Sequence, residues 1–432
     1  MPIRFDALRA TFSLVMKPYL ASLFTLSLAA ASALGQSTPP PAATGKWAKQ
    51  QLTDVFWAEG VAVADVNKDG KADVLYGPYW YAGPEFKTKS KIYSDADRFK
   101  VKAADGSETE LEGFKGAKTQ ENGYSNNFQS FAHDVNNDGW ADYVVVSFPG
   151  KETFWFENPK GGQGEWAKHV VWTPTDNESP LLTDINGDGR PDLLCMSNGH
   201  LGFATYDAKA PTQTWSWYGV TPRMAWQKYT HGIGYGDVNG DGKVDLLEGS
   251  GWWEQPASLE GKPAWKKHDA TFATKGGAQM YVYDVNGDGR NDVISSLSAH
   301  EYGLAWFEQN ADGTFKQHLI VGTPAEAGTT GLIFSQLHAI ELVDMNGDGV
   351  KDIVTGKRFW AHGAKGDPEP NAPAVLWWFE LKRDGGKVTW EPHFIDGDSG
   401  VGTQFVVADV NGDGKPDVVV GNKKGAYVHT QK

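Results

Sequence analysis

A nine-residue pattern, D-x-N-x-D-G-x-x-D, recurs seven times in this chain, starting at Asp65, Asp134, Asp184, Asp237, Asp284, Asp344 and Asp409. The intervals are 69, 50, 53, 47, 60 and 65 residues. Self-similarity at such a period specifies one supersecondary unit per copy, each stacked on its neighbours. The pattern also carries a chemistry. Oxygen donors on residues 1, 3 and 5 wrap a hard cation, a glycine at position 6 permits the sharp backbone turn, and an aspartate at position 9 closes the cage. The expected calcium ligands are Asp65, Asn67, Asp69 and Asp73; Asp134, Asn136, Asp138 and Asp142; Asp184, Asn186, Asp188 and Asp192; Asp237, Asn239, Asp241 and Asp245; Asp284, Asn286, Asp288 and Asp292; Asp344, Asn346, Asp348 and Asp352; and Asp409, Asn411, Asp413 and Asp417. Up to seven calcium ions are implied. An EF-hand begins the same way but needs a glutamate at position 12 and flanking helices. Here position 12 is Tyr76, Val145, Cys195, Glu248, Ser295, Thr355 and Val420, so only one copy complies.

The flanks read as strands. Apolar β-formers precede the loops (GVAVAD, FVVAD) and follow them (DVLYG, DYVVV, DVVVG). An aromatic strand then recurs as WFENP (155–159), WWEQP (252–256), WFEQ (306–309) and WWFE (377–380). A fourth strand carries W-x-x-H, from Trp166 to His169, Trp265 to His268 and Trp390 to His393, with Phe315 to His318 as a variant. Four strands per repeat predict an all-β, seven-bladed β-propeller. The last copy ends after its third strand, and Trp47 to Leu52 has the fourth-strand signature with Gln50 in place of histidine. The N-terminal strand is therefore expected to close the ring and cover an open edge. Insertions fall at 84–120 and 361–373.

Residues 1–35 read as a signal peptide: Arg4, Arg9 and Lys17 lead an apolar run from Leu20 to Leu34 that ends in small residues. That run is short for a membrane span, although an uncleaved anchor is the alternative. Residues 36–46 form a Pro-rich lead-in, and 47–432 the propeller. The expectation is export to the periplasm or cell exterior, with no membrane span after cleavage. Cys195 is the one cysteine, so no internal disulfide stabilises the fold.

The net charge of −14 argues against a nucleic-acid partner, which would require excess Lys and Arg. The seven loops alone hold 21 of the 54 acidic residues. The acidity is thus mostly a demand for metal rather than a statement about partners.

The repeats resemble the FG-GAP/VCBS class of calcium-loop propellers over essentially the whole of 47–432. The stretches YSNNFQSFAHDVNNDG (124–139), THGIGYGDVNGDG with GWWEQP (230–256) and FSQLHAIELVDMNGDGVKDIVTGKRFWAHG (334–363) further resemble the propeller portion of aldos-2-ulose dehydratase and its bacterial relatives. That resemblance implies elimination of water from keto-sugars. The fungal enzyme carries extra domains that this chain lacks.

In a propeller the start of each innermost strand and the turn between the second and third strands share the face opposite the loops. Six residues before each loop stand Glu59, Phe128, Glu178, His231, Ala278, His338 and Thr403. The opposite turns hold His200, His300 and Trp360, with Arg358 and His362 beside the last. His169, His268, His318 and His393 follow the repeat and read as structural, whereas His231, His338, His200, His300 and His362 break it. The triad His231, His338 and Glu178 suits zinc or another divalent ion. His300 and Tyr124 are candidates for base and acid, and Arg358 for an anion or hydroxyl contact. Trp360 is the candidate stacking platform, and Glu59, His200, Gln336 and Lys357 are candidate substrate contacts. Trp155, Trp253, Trp306 and Trp378 read as packing between blades, and Lys423-Lys424 as a solvated turn. No G-x-S-x-G, H-E-x-x-H, P-loop or Rossmann fingerprint occurs.

The expected function is that of a carbon–oxygen lyase of the sugar dehydratase type, performing metal-assisted β-elimination on a keto-sugar or related glycoside. Two alternatives stay open: a non-catalytic, adhesion-type calcium propeller that binds glycans or proteins, and a polysaccharide lyase that neutralises a uronic acid with Arg358 or Lys357.

Overall fold

The computed structural model describes residues 36–432 apart from Ala104, Lys118, Gln120 and Thr274. The expected signal segment, 1–35, lies outside the described residues. Among the described residues there is no α-helix, only the single 3-10 turn Gly363–Lys365. No helix among the described residues is long and apolar enough to cross a membrane.

Each nine-residue loop joins two antiparallel strands and opens a four-stranded meander. The first runs through Ala62–Ala64, Asp73–Tyr76, Tyr79–Tyr81 and Lys89–Lys91. The same order recurs in Ile233–Gly236, Asp245–Glu248, Gly251–Glu254 and Lys266–Asp269, and in Ile340–Val343, Asp352–Gly356, Leu376–Asp384 and Lys387–Asp396. One long strand, Ala167–Thr183, serves two meanders: it pairs with Lys151–Glu157 first and with Asp192–Ser197 after a register break between Asp176 and Leu181. In the last meander Trp47–Thr53 pairs antiparallel with Gly425–Gln431, with Trp47 opposite Gln431. The first strands of the meanders contact one another in chain order, and that of the seventh, Phe405–Ala408, contacts that of the first. Gln129 and Gln279 tie neighbouring meanders together, Gln129 Nε2 donating to Glu178 O over 2.9 Å and Gln279 Oε1 accepting from Ile340 N over 3.1 Å, while Gln279 Nε2 reaches past the sixth meander to Thr403 O over 2.9 Å. The insertion at 84–120 carries its own hairpin, Arg98–Lys102 with Glu108–Glu112.

The loops fold as their residues dictate. The position-6 glycine takes a left-handed φ in every copy, from Gly70 at 80° to Gly289 at 86°. Position 4 is left-handed too, so five copies use glycine there and Lys68 and Asn137 are held at 58° and 57°. The first aspartate accepts backbone N–H groups: Asp134 Oδ1 from Asp138 over 3.0 Å and Oδ2 from Gly139 over 2.6 Å.

The ninth aspartate has a structural role that its spacing did not announce. Asp142 is fully buried; one oxygen accepts the N–H of Val135 (3.0 Å) and the other that of Asn158 (2.8 Å). Asp245, with Val238 and Gln255, and Asp352, with Met345 and Leu381, repeat this. The carboxylate thus staples its loop to the third strand. Burial lifts these carboxyls, to about 7 at Asp142.

The fourth-strand histidines are structural, as their periodicity implies. His169 packs on Trp155 and bonds Glu157 at 2.9 Å, and Glu157 Oε1 takes the amide of loop residue Asn136 at 3.3 Å. His393 with Trp378, Glu380 and Asn346 repeats the chain of contacts. In the WWEQP copy the ring stacked on His268 belongs to Trp252 rather than Trp253; both tryptophans are buried.

Candidate functional site

The start of three first strands and one intervening turn bring four ligand-bearing side chains together. Glu178 sits at the register break of Ala167–Thr183, after Asn177, which is held at φ 83°. His231 precedes Ile233–Gly236, and His338 precedes Ile340–Val343. His300 comes from the turn between Asp292–Ser296 and Leu304–Gln309. One ligand atom from each of these four residues lies within 4.8 Å of all the others. His231 Nε2 and His338 Nε2 each stand 3.3 Å from Glu178 Oε2, and His300 Nε2 stands 2.9 Å from His231 Nε2. Bonds of about 2.0–2.2 Å to a common ion place neighbouring ligand atoms about 3 Å apart, so the spacing suits a divalent metal.

The electrostatics fit as well. His338 is fully buried, and neither of its ring nitrogens has a hydrogen-bond partner. Burial, reinforced by the Arg358 charge, lowers its pKa to about 3, so the ring is neutral near pH 7. Burial and the neighbouring His338, His231 and Arg358 likewise hold His300 far below the usual imidazole range. Burial would raise the Glu178 carboxyl, but its contacts with His231 and His338 outweigh this and hold it well below the carboxylate range. Neutral imidazoles around a carboxylate are the donor set of a zinc-like site.

A buried ion pair supports the cluster. Arg358, 1 % exposed, places Nε 3.3 Å from Glu59 Oε2 and Nη2 3.2 Å from Glu59 Oε1, with Nη1 3.5 Å from Glu178 Oε2. Its guanidinium lies over the Phe128 ring at 5.3 Å. Gln336 and Trp360, at φ 64° and 57°, are further left-handed non-glycine residues beside the cluster. Such strain gathers where the surrounding structure must force a particular side-chain placement.

Several expected roles change. His300 joins the donor set instead of standing apart as a base. Glu59, Gln336 and Lys357 are fully enclosed; Lys357 Nζ donates to Ser335 Oγ over 2.6 Å, so these three support the site and do not face a substrate. Arg358 is enclosed in the same way, and its charge is committed to Glu59 and Glu178. His200 lies outside the cluster, its Nδ1 2.9 Å from Thr221 O. Tyr124 is half-buried beneath Lys423 Nζ (4.4 Å), and burial raises its hydroxyl pKa, leaving a neutral phenol. Trp360 remains partly open, its Nε1 donating to Asn371 Oδ1 over 3.0 Å. His362 is the most exposed of the group, with Nδ1 2.8 Å from Asp367 Oδ1 and its ring 4.4 Å from that of His300.

Lys423 does not lie in a solvated turn. It is 1 % exposed and donates to Trp360 O (2.8 Å) and Ala361 O (3.1 Å), as well as to Asn122. Burial lowers its pKa to about 8. Asp367 was also missed. It lies in the 361–373 insertion, where no repeat position exists to flag it.

The FG-GAP-like repeat family matches residues 134–195, 184–248 and 284–355, and the FG-GAP repeat family matches 401–429. None of the curated proteins matches the chain. Among solved structures, a lectin from Agrocybe aegerita that recognises non-reducing terminal N-acetylglucosamine is similar at 17% identity and TM-score 0.44, covering 82% of this chain and 81% of that one. The exotype rhamnogalacturonan lyase YesX is similar at 14% identity and TM-score 0.40, covering 89% and 72%. A rhamnogalacturonan lyase from Bacillus licheniformis is similar at 12% identity and TM-score 0.40, covering 92% and 74%. The chain carries FG-GAP repeats in an all-β, β-propeller-like fold.

Proposed function

We propose that this protein is an exported, calcium-stabilised, seven-bladed propeller, closed by its N-terminal strand, that eliminates water from a keto-sugar or related glycoside. The observation that carries this reading is the convergence of Glu178, His231, His300 and His338 at one mouth, with one ligand atom of each within 4.8 Å of the others. These four residues would hold a zinc-like divalent ion, which when bound would polarise a ketone and stabilise the adjacent enolate. The chain supplies the rest. The Arg358–Glu59 pair fixes the Glu178 carboxylate, so the donor set is formed before substrate arrives. The neutral Tyr124 phenol suits proton donation to the departing hydroxyl. Trp360 offers an apolar face for a sugar ring. The reaction is redox-neutral: a proton leaves the carbon next to the ketone, a hydroxide leaves the next carbon as water, and an enone remains.

The test is incubation of the purified protein with 1,5-anhydrofructose and 3-keto-glucosides while enone absorbance is followed, with transition-metal content measured on the same sample. Enone formation that disappears in His231→Ala and His338→Ala supports the reading. A metal-loaded protein inert towards every keto-sugar overturns the activity. Glycan binding without any transition metal would instead favour the non-catalytic propeller.

A further inference from the structure

We propose that the mouth holds a second divalent-metal site, formed by His300 Nδ1, His362 and Asp367, so that the His300 imidazole bridges two ions. The inference rests on the four-residue site above, because His300 is shared. The two nitrogens of that ring face different partners. Nε2 points to His231 at 2.9 Å, inside the first donor set. Nδ1 is buried, makes no hydrogen bond, and stands 3.5 Å from Asp367 Oδ1. A buried imidazole nitrogen without a partner is costly unless something fills the gap. His362 Nδ1 lies 2.8 Å from the same Asp367 oxygen. The three ligand atoms all lie within 4.8 Å of one another, and the 2.8 and 3.5 Å separations bracket the spacing expected around one ion with bonds near 2.1 Å.

The surroundings favour this assignment. The Asp367 side chain is only 4 % exposed, although it sits on an insertion. Arg358 pairs with Glu59 at 3.2 Å and touches Glu178 at 3.5 Å, which leaves Asp367 as the carboxylate beside His300 Nδ1 and His362. His362 would complete the second set from the solvent side, its side chain being 46 % exposed. Binding the second ion through His300 Nδ1 displaces the ring proton of His300 to solvent. Nitrogen and carboxylate donors together select a borderline cation such as zinc, cobalt or copper over calcium.

The experiment uses the mature chain, stripped with chelator, restored with calcium, titrated with Co²⁺ and freed of excess ion before metal analysis. Two cobalt ions per wild-type chain, falling to one in Asp367→Asn and in His362→Gln, are expected. His362 is on the surface, so its variant keeps the fold. Copper loading gives a second readout: two ions bridged by one imidazole show spin coupling in the EPR spectrum, and that coupling vanishes in His362→Gln. One cobalt per wild-type chain, unchanged in both variants, overturns the second site and leaves the first intact. One cobalt whose affinity drops about 10–100-fold in Asp367→Asn also overturns it, because Asp367 then acts only as an outer partner of His300. No bound cobalt at all overturns the four-residue site as well.

Discussion

His338 Nε2 and Glu178 Oε2 stand 3.3 Å apart, with side chains 0 % and 8 % exposed. An uncharged imidazole faces an ionised carboxylate there, and both imidazole nitrogens lack a hydrogen-bond partner. Replacing His338 by Ala should lower transition-metal affinity by more than the roughly 10–100-fold typical of outer-shell partners. Metal analysis by mass spectrometry and a circular-dichroism melt check this together. Unchanged metal content in a folded variant would contradict the proposed site.

The Glu59–Arg358 pair yields a stability prediction. Glu59→Ala leaves a guanidinium that is 1 % exposed with only its 3.5 Å contact to Glu178 and should destabilise the fold by about 3–5 kcal/mol. Replacing Glu59 and Arg358 together by Leu and Met should recover much of that loss while still impairing metal binding. Urea unfolding of both variants decides the point.

Positions 1 and 9 of the loops should behave differently. Asp142→Asn leaves one oxygen facing two backbone N–H groups, so it should lose about 1–3 kcal/mol with or without calcium. Asp134→Asn should mainly weaken calcium binding. Parallel thermal melts in calcium and in EDTA separate these outcomes.

Chelation should be costly throughout. A loop held at 100 times its Kd contributes about 2.7 kcal/mol, so stripping several should lower Tm by about 10 °C or more. Identical calorimetric traces in calcium and in EDTA would remove the calcium proposal.

His429 should make the protein acid-sensitive. It is fully buried, and burial lowers its pKa to about 4 from 6.5; Asp396 opposes that shift and Lys49 adds to it. The folded state therefore binds fewer protons than the unfolded chain between pH 6.5 and 4. The stability contribution is complete above pH 6.5 and is lost as pH falls toward 4, by roughly 3 kcal/mol at about 1.4 kcal/mol per pKa unit. His429→Phe, the residue type at the matching position Phe156, should flatten the stability–pH curve in that interval.

The repeats, their four strands and the pairing of Trp47 with the last strand were legible in the sequence because each rests on local rules. Turn geometry at Gly70 or Gly289, strand alternation and W-x-x-H spacing repeat without reference to distant residues. The face bearing Glu178, His231 and His338 was legible too, since a fixed offset from each loop projects to one rim. What tertiary structure alone decided was burial and partnership. Lys357, Gln336 and Glu59 share that rim in sequence but are enclosed: Ser335 meets Lys357 within one meander, and Arg358 reaches Glu59 from another. Lys423 resembles a surface lysine until the carbonyls of Trp360 and Ala361, some sixty residues earlier, accept hydrogen bonds from its ammonium. His300 became a metal-ligand candidate because the parallel pairing of Ile233–Tyr235 with Gln279–Tyr281 set its Nε2 against His231, 69 residues away. Periodicity reports which side of the array a residue occupies; only the packed chain determines which charges meet there and which are shut away from water.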